Sequence, residues 1–375
     1  KSVHIHAEVL DPHLSGRDFG ARRIPTSLYD HHIYLLFLIP SKITIKCFYI
    51  RKIRISVKTN DQVFLVTGTT SGIGAALVNH IISRGDKVIA SGRSVEKKLG
   101  HLKSGNVALL ELDVAAGKSV VEAQVKKAWE IFGHIDVLIN NAGMSAMKTI
   151  EDADDDYINT MFQVNVFGQL HMSQAILPFF RAQGHGIISF TSSGCAWGAL
   201  PYLGHYCMTK AALSSFAESL HKEVSHMGIK CVAFDIGGFP TRLAQPREGE
   251  DAAGAAVNPD DVAIPEAPVS EPYAETFGQY LNLFMPDHSW VIPGDPNKAA
   301  SAMVQVIQRE GPAAGRPWAV RVVLGSDSLI YATKRRTEEI QLLQKWKDVS
   351  ASTDARKFVL KPEYEKYIAV AGVEE

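Results

Sequence analysis

The sequence predicts an α/β fold: a doubly wound, mostly parallel sheet of about seven strands with helices on both faces. Three observations predict it. From Gln62 onward, short apolar runs alternate with stretches of helical periodicity. Glycines cluster at the first strand-to-helix turn. Every segment with chemical character follows directly after a strand, which is where open sheets of this kind bind their ligands.

The run QVFLV (62–66) suits a buried parallel strand. It leads into TGTTSGIG (67–74) and then AALVNHIISRG, whose apolar spacing is helical and which Gly85 stops. DKVIASGR (86–93) reads as the second strand and NVALLELDV (106–114) as the third. SVVEAQVKKAWEIFG follows as a helix, HIDVLINNAG (134–143) as a strand, and DDDYINTMFQVNVFGQLHMSQAILPFFRAQG as one long helix. GIISFTSS (186–193), a helix from about Tyr206 and IKCVAFDIG (229–237) continue the alternation, which right-handed crossovers turn into a parallel sheet. PGDPNKAASAMVQVIQREG is a helix capped by Asp295 with Pro296 in its first turn. AVRVVLGSDS is the last strand, and KRRTEEIQLLQKWKDV a charged amphipathic helix of the solvated kind.

Residues 1–60 differ from the rest. Their apolar run, Ile33 to Ile39, has seven residues, whereas a bilayer core needs about 20. The run also lies too deep for a signal peptide, and no small-residue cleavage site follows it. We read 1–60 as an extension outside the fold, 61–345 as a single catalytic domain with a variable insertion at 245–290, and 346–375 as a C-terminal tail.

Composition excludes several classes. With 46% hydrophobic and 21% charged residues the chain can bury a large core. A net charge of −1 gives no electrostatic reason to expect nucleic acid or an acidic membrane as partner. The cysteines Cys47, Cys195, Cys207 and Cys231 form no C-x-x-C pair, so a reduced, cytoplasmic compartment is expected. His4 with His6, and His31 with His32, lack partners of metal-ligand type, and no metal is expected.

Gly68, Gly72 and Gly74 would permit a tight turn, let a pyrophosphate approach bare backbone and allow close helix–strand packing. Such glycines can be structural punctuation alone, but a strand before and a helix after favour a dinucleotide. Gly74 is followed by Ala75 and Ala76 with no lysine, which excludes the phosphate loop of nucleotide hydrolases. After the second strand, ASGRS offers Arg93 and no carboxylate before Glu96. Arg93 suits the extra phosphate of NADP, so NADP is expected over NAD; a solvated loop arginine is the alternative.

In SSGCAWGALPYLGHYCMTK (192–210), Tyr206 and Lys210 stand four apart and share a helix face. An ammonium beside a phenol favours the phenolate, one route to acid/base service near neutrality. An accidental pair on a solvated helix is the alternative.

Taken together, these segments resemble the short-chain dehydrogenase/reductase family, over residues 61–245 well and to about residue 330 more loosely. Thr67 to Gly74 matches its cofactor turn, Leu112-Asp113-Val114 its adenine-contacting segment, and Asn140-Asn141-Ala142-Gly143 its N-N-A-G motif. Asn165 falls where the family keeps its mid-helix catalytic asparagine; Ser193 precedes Tyr206 by thirteen residues, and Tyr206 to Lys210 is Y-x-x-x-K. The resemblance implies a Rossmann-type fold and a nicotinamide cofactor held first by Gly68, Thr70, Ser71, Gly72, Ile73 and Gly74. Arg93, Asp113 and Val114 would take its adenosine half. Asn141, Ala142, Gly143, Tyr206, Lys210, Gly237 and Thr241 would take the remainder.

The resemblance also implies hydride exchange between nicotinamide and a carbonyl or alcohol substrate, with Tyr206 as general acid/base. Lys210 and the cationic nicotinamide together would lower the phenol from its ordinary value of about 10; a shift of three units corresponds to roughly 4 kcal/mol. Ser193 would bond the substrate oxygen, and Asn165 would hold a water linking Lys210 to solvent. One departure is visible: DIGGFPT (235–241) has Ile236 where the family keeps a proline, so the loop carrying Gly237 and Thr241 is expected to be less rigid.

Phe277, Tyr280, Phe284 and Met285 would form a substrate lid or else pack an insertion on the core. Met144, Trp197, Tyr202 and Phe239 are further candidates for an apolar pocket. A homodimer or homotetramer built on helices 155–181 and 206–227 is expected. The competing function is a silent cofactor-binding sensor or scaffold, which would need the glycine turn but not Ser193, Tyr206, Lys210 and Asn165 together. Epimerases and dehydratases of this scaffold carry T-G-x-x-G-x-x-G, absent here.

Overall fold

Seven strands, β1 (Val63–Thr67), β2 (Lys87–Gly92), β3 (Val107–Glu111), β4 (Val137–Asn140), β5 (Gly186–Ser193), β6 (Ile229–Ile236) and β7 (Arg321–Leu324), form one sheet. Their order is β3-β2-β1-β4-β5-β6-β7 and every pairing is parallel. This is a computed structural model that describes residues 62–241, 243, 269–283 and 292–370, all within the unit Asn60–Glu375. The N-terminal extension and most of the 245–290 insertion, including Phe284 and Met285, lie outside the described residues.

Central strands buried on both faces read as unbroken apolar runs, and VFLVT of β1 and VLIN of β4 are fully buried along their length. Alternate residues serve opposite faces. Val63 and Leu65 join a core built from α3 (Lys118–Phe132), α5 (Gly168–Gln183) and α6 (Gly204–Val224), with Val125, Ile176 and Leu213 at its centre. Phe64 and Val66 join the opposite core, where α1 (Gly72–Ser83) and α8 (Pro296–Gln308) contribute Leu77, Ile81, Met303 and Val304. Strand order reverses between β1 and β4, which opens a crevice at their carboxyl ends.

The remaining helices are α2 (Val95–Leu99), α4 (Asp155–Phe162), α7 (Ala274–Asn282), α9 (Ser326–Lys345), α10 (Lys347–Ala351) and α11 (Pro362–Ile368). Asp295 caps α8 as expected, accepting from the Asn297 and Lys298 amides at 2.8 and 3.4 Å. The long helix expected over 154–184 is interrupted: α4 and α5 are joined by a π turn at Gln163–Phe167 that contains Asn165. One extra residue in a turn leaves apolar periodicity almost unchanged, so the pattern could not reveal it. The helix expected from Tyr206 starts at Gly204. Charge pairs Lys334–Glu338 and Arg335–Glu339 lie along the solvated α9.

Among the described residues no helix is long and apolar enough to cross a membrane. None of them form a group of three or more His, Cys, Asp or Glu suited to a metal ion.

Candidate active site

The glycine turn leaves β1 at Thr67, whose hydroxyl accepts from the Asn141 and Ala142 amides, each at 3.0 Å. Gly68 has φ +69° and lies against the Asn141–Gly143 loop, so a Cβ there would stand 2.8 Å from Ala142 Cα. A Cβ on Gly74 would stand 2.1 Å from the Gly68 carbonyl oxygen. No side chain caps the first turn of α1, and Ser71 occupies its N-cap position. Bare backbone at a tight turn followed by uncapped helix amides is a donor set that fits a pyrophosphate.

Asn141 has a structural share in this turn that its motif did not foretell. Its Nδ2 donates to the Thr67 and Gly68 carbonyls at 3.1 and 3.3 Å, and its Oδ1 accepts from Thr191 Oγ1 at 3.3 Å. The side chain thereby joins β1, β4 and β5. The bracing hydroxyls of Thr67 and Thr191 could not be read from local spacing, because Asn141 lies 74 and 50 residues from them.

At the carboxyl end of β2, Thr69 bonds the Ser91 carbonyl through both its amide and its hydroxyl. Gly92 lies beside Thr70, 3.7 Å from a Cβ built on the glycine. Arg93 is exposed just past the end of β2. Ile73 and Val114 are buried, and Asp113 is exposed with its Oδ1 accepting from the Ala115 amide at 2.9 Å.

Tyr206 and Lys210 both sit on the buried face of α6. Lys210 Nζ donates to the Thr191 carbonyl at 2.8 Å and stands 5.5 Å from the Tyr206 ring centre. Burial lowers the Lys210 ammonium to about 8, with Cys195 and Asp235 acting in the opposite direction. Burial likewise pushes the Tyr206 phenol above its ordinary value, and a hydrogen bond from Ser193 opposes the rise. In the chain by itself desolvation is the largest influence on the phenol, and the Lys210 amine is directed at the Thr191 carbonyl.

Ser193 ends β5, where its Oγ also accepts from the Cys195 amide at 3.2 Å. Asn165 Nδ2 donates to the Met144 carbonyl at 2.8 Å and to Thr209 Oγ1 at 3.1 Å, while Oδ1 accepts from the Met144 amide at 2.9 Å. Its side chain thus ties the π turn to the loop after β4. A Cβ on Gly143 would lie 3.4 Å from Asn165 Oδ1 and 3.7 Å from Lys210 Nζ, which brings three of the sequence-predicted residues together.

Beneath α6 runs a buried polar chain that sequence reasoning missed. Ser192 Oγ lies 2.7 Å from Ser214 Oγ, Ser214 donates to Asp235 Oδ1 at 3.0 Å, and Arg321 Nε donates to Asp235 Oδ2 at 2.9 Å.

Two of the pocket candidates contact segments distant in sequence. Trp197 is flanked by the Arg321 and Arg336 guanidinium groups, 3.8 and 4.6 Å from its ring centre. Phe239 packs against Gly294 and the core shared by α1 and α8. Tyr202 meets α7, with Phe277 edge-on at 4.9 Å and Tyr280 at 5.5 Å. Thr241 reaches the glycine turn, 3.1 Å from a Cβ built on Gly72.

A family model described as short chain dehydrogenase matches residues 62–252, a span holding β1 to β6 and every site residue named above up to Thr241. The chain belongs to the short-chain dehydrogenase/reductase family. Oxidoreductase BOA17 of Botryotinia fuckeliana is 31% identical over 299 residues, covering 78% of this chain and 99% of the relative. A 3-ketodihydrosphingosine reductase of Bacteroides thetaiotaomicron is 29% identical over 252 residues, 67% of this chain and 85% of its own. Among solved structures, a short-chain dehydrogenase from Streptomyces avermitilis matches with a TM-score of 0.64 at 26% identity, over 78% of this chain and 99% of that one. As a short-chain dehydrogenase/reductase, the protein falls in a family of oxidoreductases.

Proposed function

We propose that this short-chain dehydrogenase/reductase moves a hydride between NADP and a carbonyl or alcohol substrate, with Tyr206 as general acid/base. The observation that carries the reading is the meeting of Tyr206, Ser193 and Lys210 beside Gly143, at the carboxyl end of β5. The nicotinamide, when bound, supplies or accepts the hydride.

Everything else is the work of the chain. Gly68, Gly72 and Gly74 with the start of α1 hold the pyrophosphate, flanked by Thr70, Ser71 and Ile73. Asp113 and Val114 take the adenine and Arg93 the 2′-phosphate. Ala142, Gly143, Gly237 and Thr241 border the nicotinamide end, and Asn141 braces the turn beneath. In reduction, the phenol of Tyr206, kept protonated by burial, gives its proton to the substrate oxygen while the Ser193 hydroxyl donates to the same atom. Lys210 keeps positive charge behind the phenol up to about pH 8 and stabilises the phenolate left after transfer. Asn165 holds the loop at Met144 in place.

A second copy of this chain would dock on α4, α5 and α6, where Phe167 of the connecting π turn and Met208 of α6 are exposed.

The test is a titration of the full chain with NADPH and NADH, followed by turnover across a panel of ketones, aldehydes and alcohols. NADPH oxidation is expected with the wild type and none above background with Tyr206→Phe. Cofactor binding with no turnover on any substrate would favour the sensor or scaffold reading instead.

A further inference from the structure

The loop that departs from the family pattern is held from outside the segment the family model matches. Ile236 occupies the proline position, and two glycines follow it, so the chain itself restrains this stretch little. The restraint comes from α9. Asp327, in its first turn, accepts from the Gly238 amide through Oδ2 at 2.6 Å. Its Oδ1 is buried without a hydrogen-bond partner. That oxygen stands 2.1 Å from where a Cβ on Gly237 would lie and 2.6 Å from one on Gly325, so both neighbours are bare backbone where the carboxylate sits.

The loop is pinned at further points. The Gly237 amide donates to Leu324 at 2.8 Å, the Gly238 carbonyl accepts from Gly294 at 2.9 Å, and Thr241 abuts Gly72. The Asp327 bond is the charge-assisted member of this set, and the helix N-terminus favours its negative charge.

Resting on the NADP reading above, we propose that Asp327 is a positioning residue that sets the Gly237–Thr241 loop for the nicotinamide half of the cofactor, in place of the missing proline. It acts through the Gly238 amide and touches neither substrate nor reacting atoms. An aspartate serving only to stabilise α9 would leave cofactor affinity alone, or weaken every part of the cofactor equally.

The experiment uses the full chain and two probes, NADPH and adenosine 2′,5′-bisphosphate, which lacks the nicotinamide half. Affinities are read by fluorescence or calorimetry, with thermal denaturation in parallel. Asp327→Ala is expected to weaken NADPH about tenfold, the scale of one charge-assisted hydrogen bond, and to leave the bisphosphate within about twofold. Asp327→Asn retains an acceptor oxygen and is expected within about threefold of wild type for both probes. Gly325→Ala, which crowds the same carboxylate oxygen from outside the cofactor loop, should repeat the Ala result and serves if Asp327→Ala does not fold. Unchanged NADPH affinity in Asp327→Ala, equal loss of both probes, or an Asn variant as weak as Ala overturns the proposal. A wild type that binds neither NADPH nor the bisphosphate overturns the cofactor reading itself, and this proposal with it.

Discussion

Lys210 donates to the main-chain carbonyl of Thr191 at 2.8 Å from a site where only 3% of the residue is exposed. A cation so placed lowers stability at neutral pH. Its folded value is about 8 against an ordinary 10.5, so the folded state disfavours the proton by about 3 kcal/mol. That penalty is full below pH 8 and fades as pH rises toward 10.5, where the unfolded amine also loses its proton. Lys210→Met is therefore expected to be more stable than wild type at pH 7 by about 1–3 kcal/mol, with the gain shrinking by pH 10. Urea denaturation at the two pH values checks this; a variant weaker at pH 7 contradicts the sign.

The same amine should shape the rate. With Lys210 titrating near 8, the rate of carbonyl reduction is expected to hold level below that pH and to fall about tenfold per unit above it. In Lys210→Arg, whose guanidinium keeps its proton, the alkaline limb should vanish from whatever activity is left. Tyr206→Phe should lose at least about a thousandfold in turnover while NADPH affinity stays within a few fold. A pH–rate profile of the three proteins decides.

The glycine turn has no room for a side chain. Because a Cβ on Gly74 would meet the Gly68 carbonyl at 2.1 Å, Gly74→Ala must displace backbone. We expect a loss of about 2–4 kcal/mol in stability and no measurable NADPH binding, whereas Gly100→Ala, in open space, should be neutral. Calorimetric melting with and without NADPH measures both effects.

Arg93 is exposed just past the end of β2, and the proposed reading assigns it the 2′-phosphate. Arg93→Ala should raise the KM for NADPH about tenfold or more with little change for NADH, and Arg93→Glu should go further toward NADH. Equal effects on both cofactors would return Arg93 to the solvated loop.

What was legible in the sequence was what short-range pattern encodes. The strands of the sheet announced themselves through apolar runs, and the α8 cap through Asp295 and Pro296. The motifs placed Ser193, Tyr206, Lys210, Asn165 and Gly143 at one end of the sheet, where the structure brings them together. Features set by distant packing stayed hidden. The rise in the Tyr206 pKa depends on how completely α6 is covered, and the Asp235–Arg321 pair joins residues 86 positions apart. The roles of Trp197 and Asp327 likewise depend on α9 returning to the sheet, which no local spacing encodes.

Because β7 closes the sheet beside β6, a fragment trimmed to residues 62–252 would be a damaged protein. It would expose the backbone edge of β6, an invitation to pair with other chains. It would also strip Asp235 of Arg321, stranding a carboxylate in the interior, and remove Trp318 from the Cys231 carbonyl it caps at 2.9 Å. Expression trials that honour the borders of the recognised segment should thus yield aggregates, and those that run past Lys345 a soluble product.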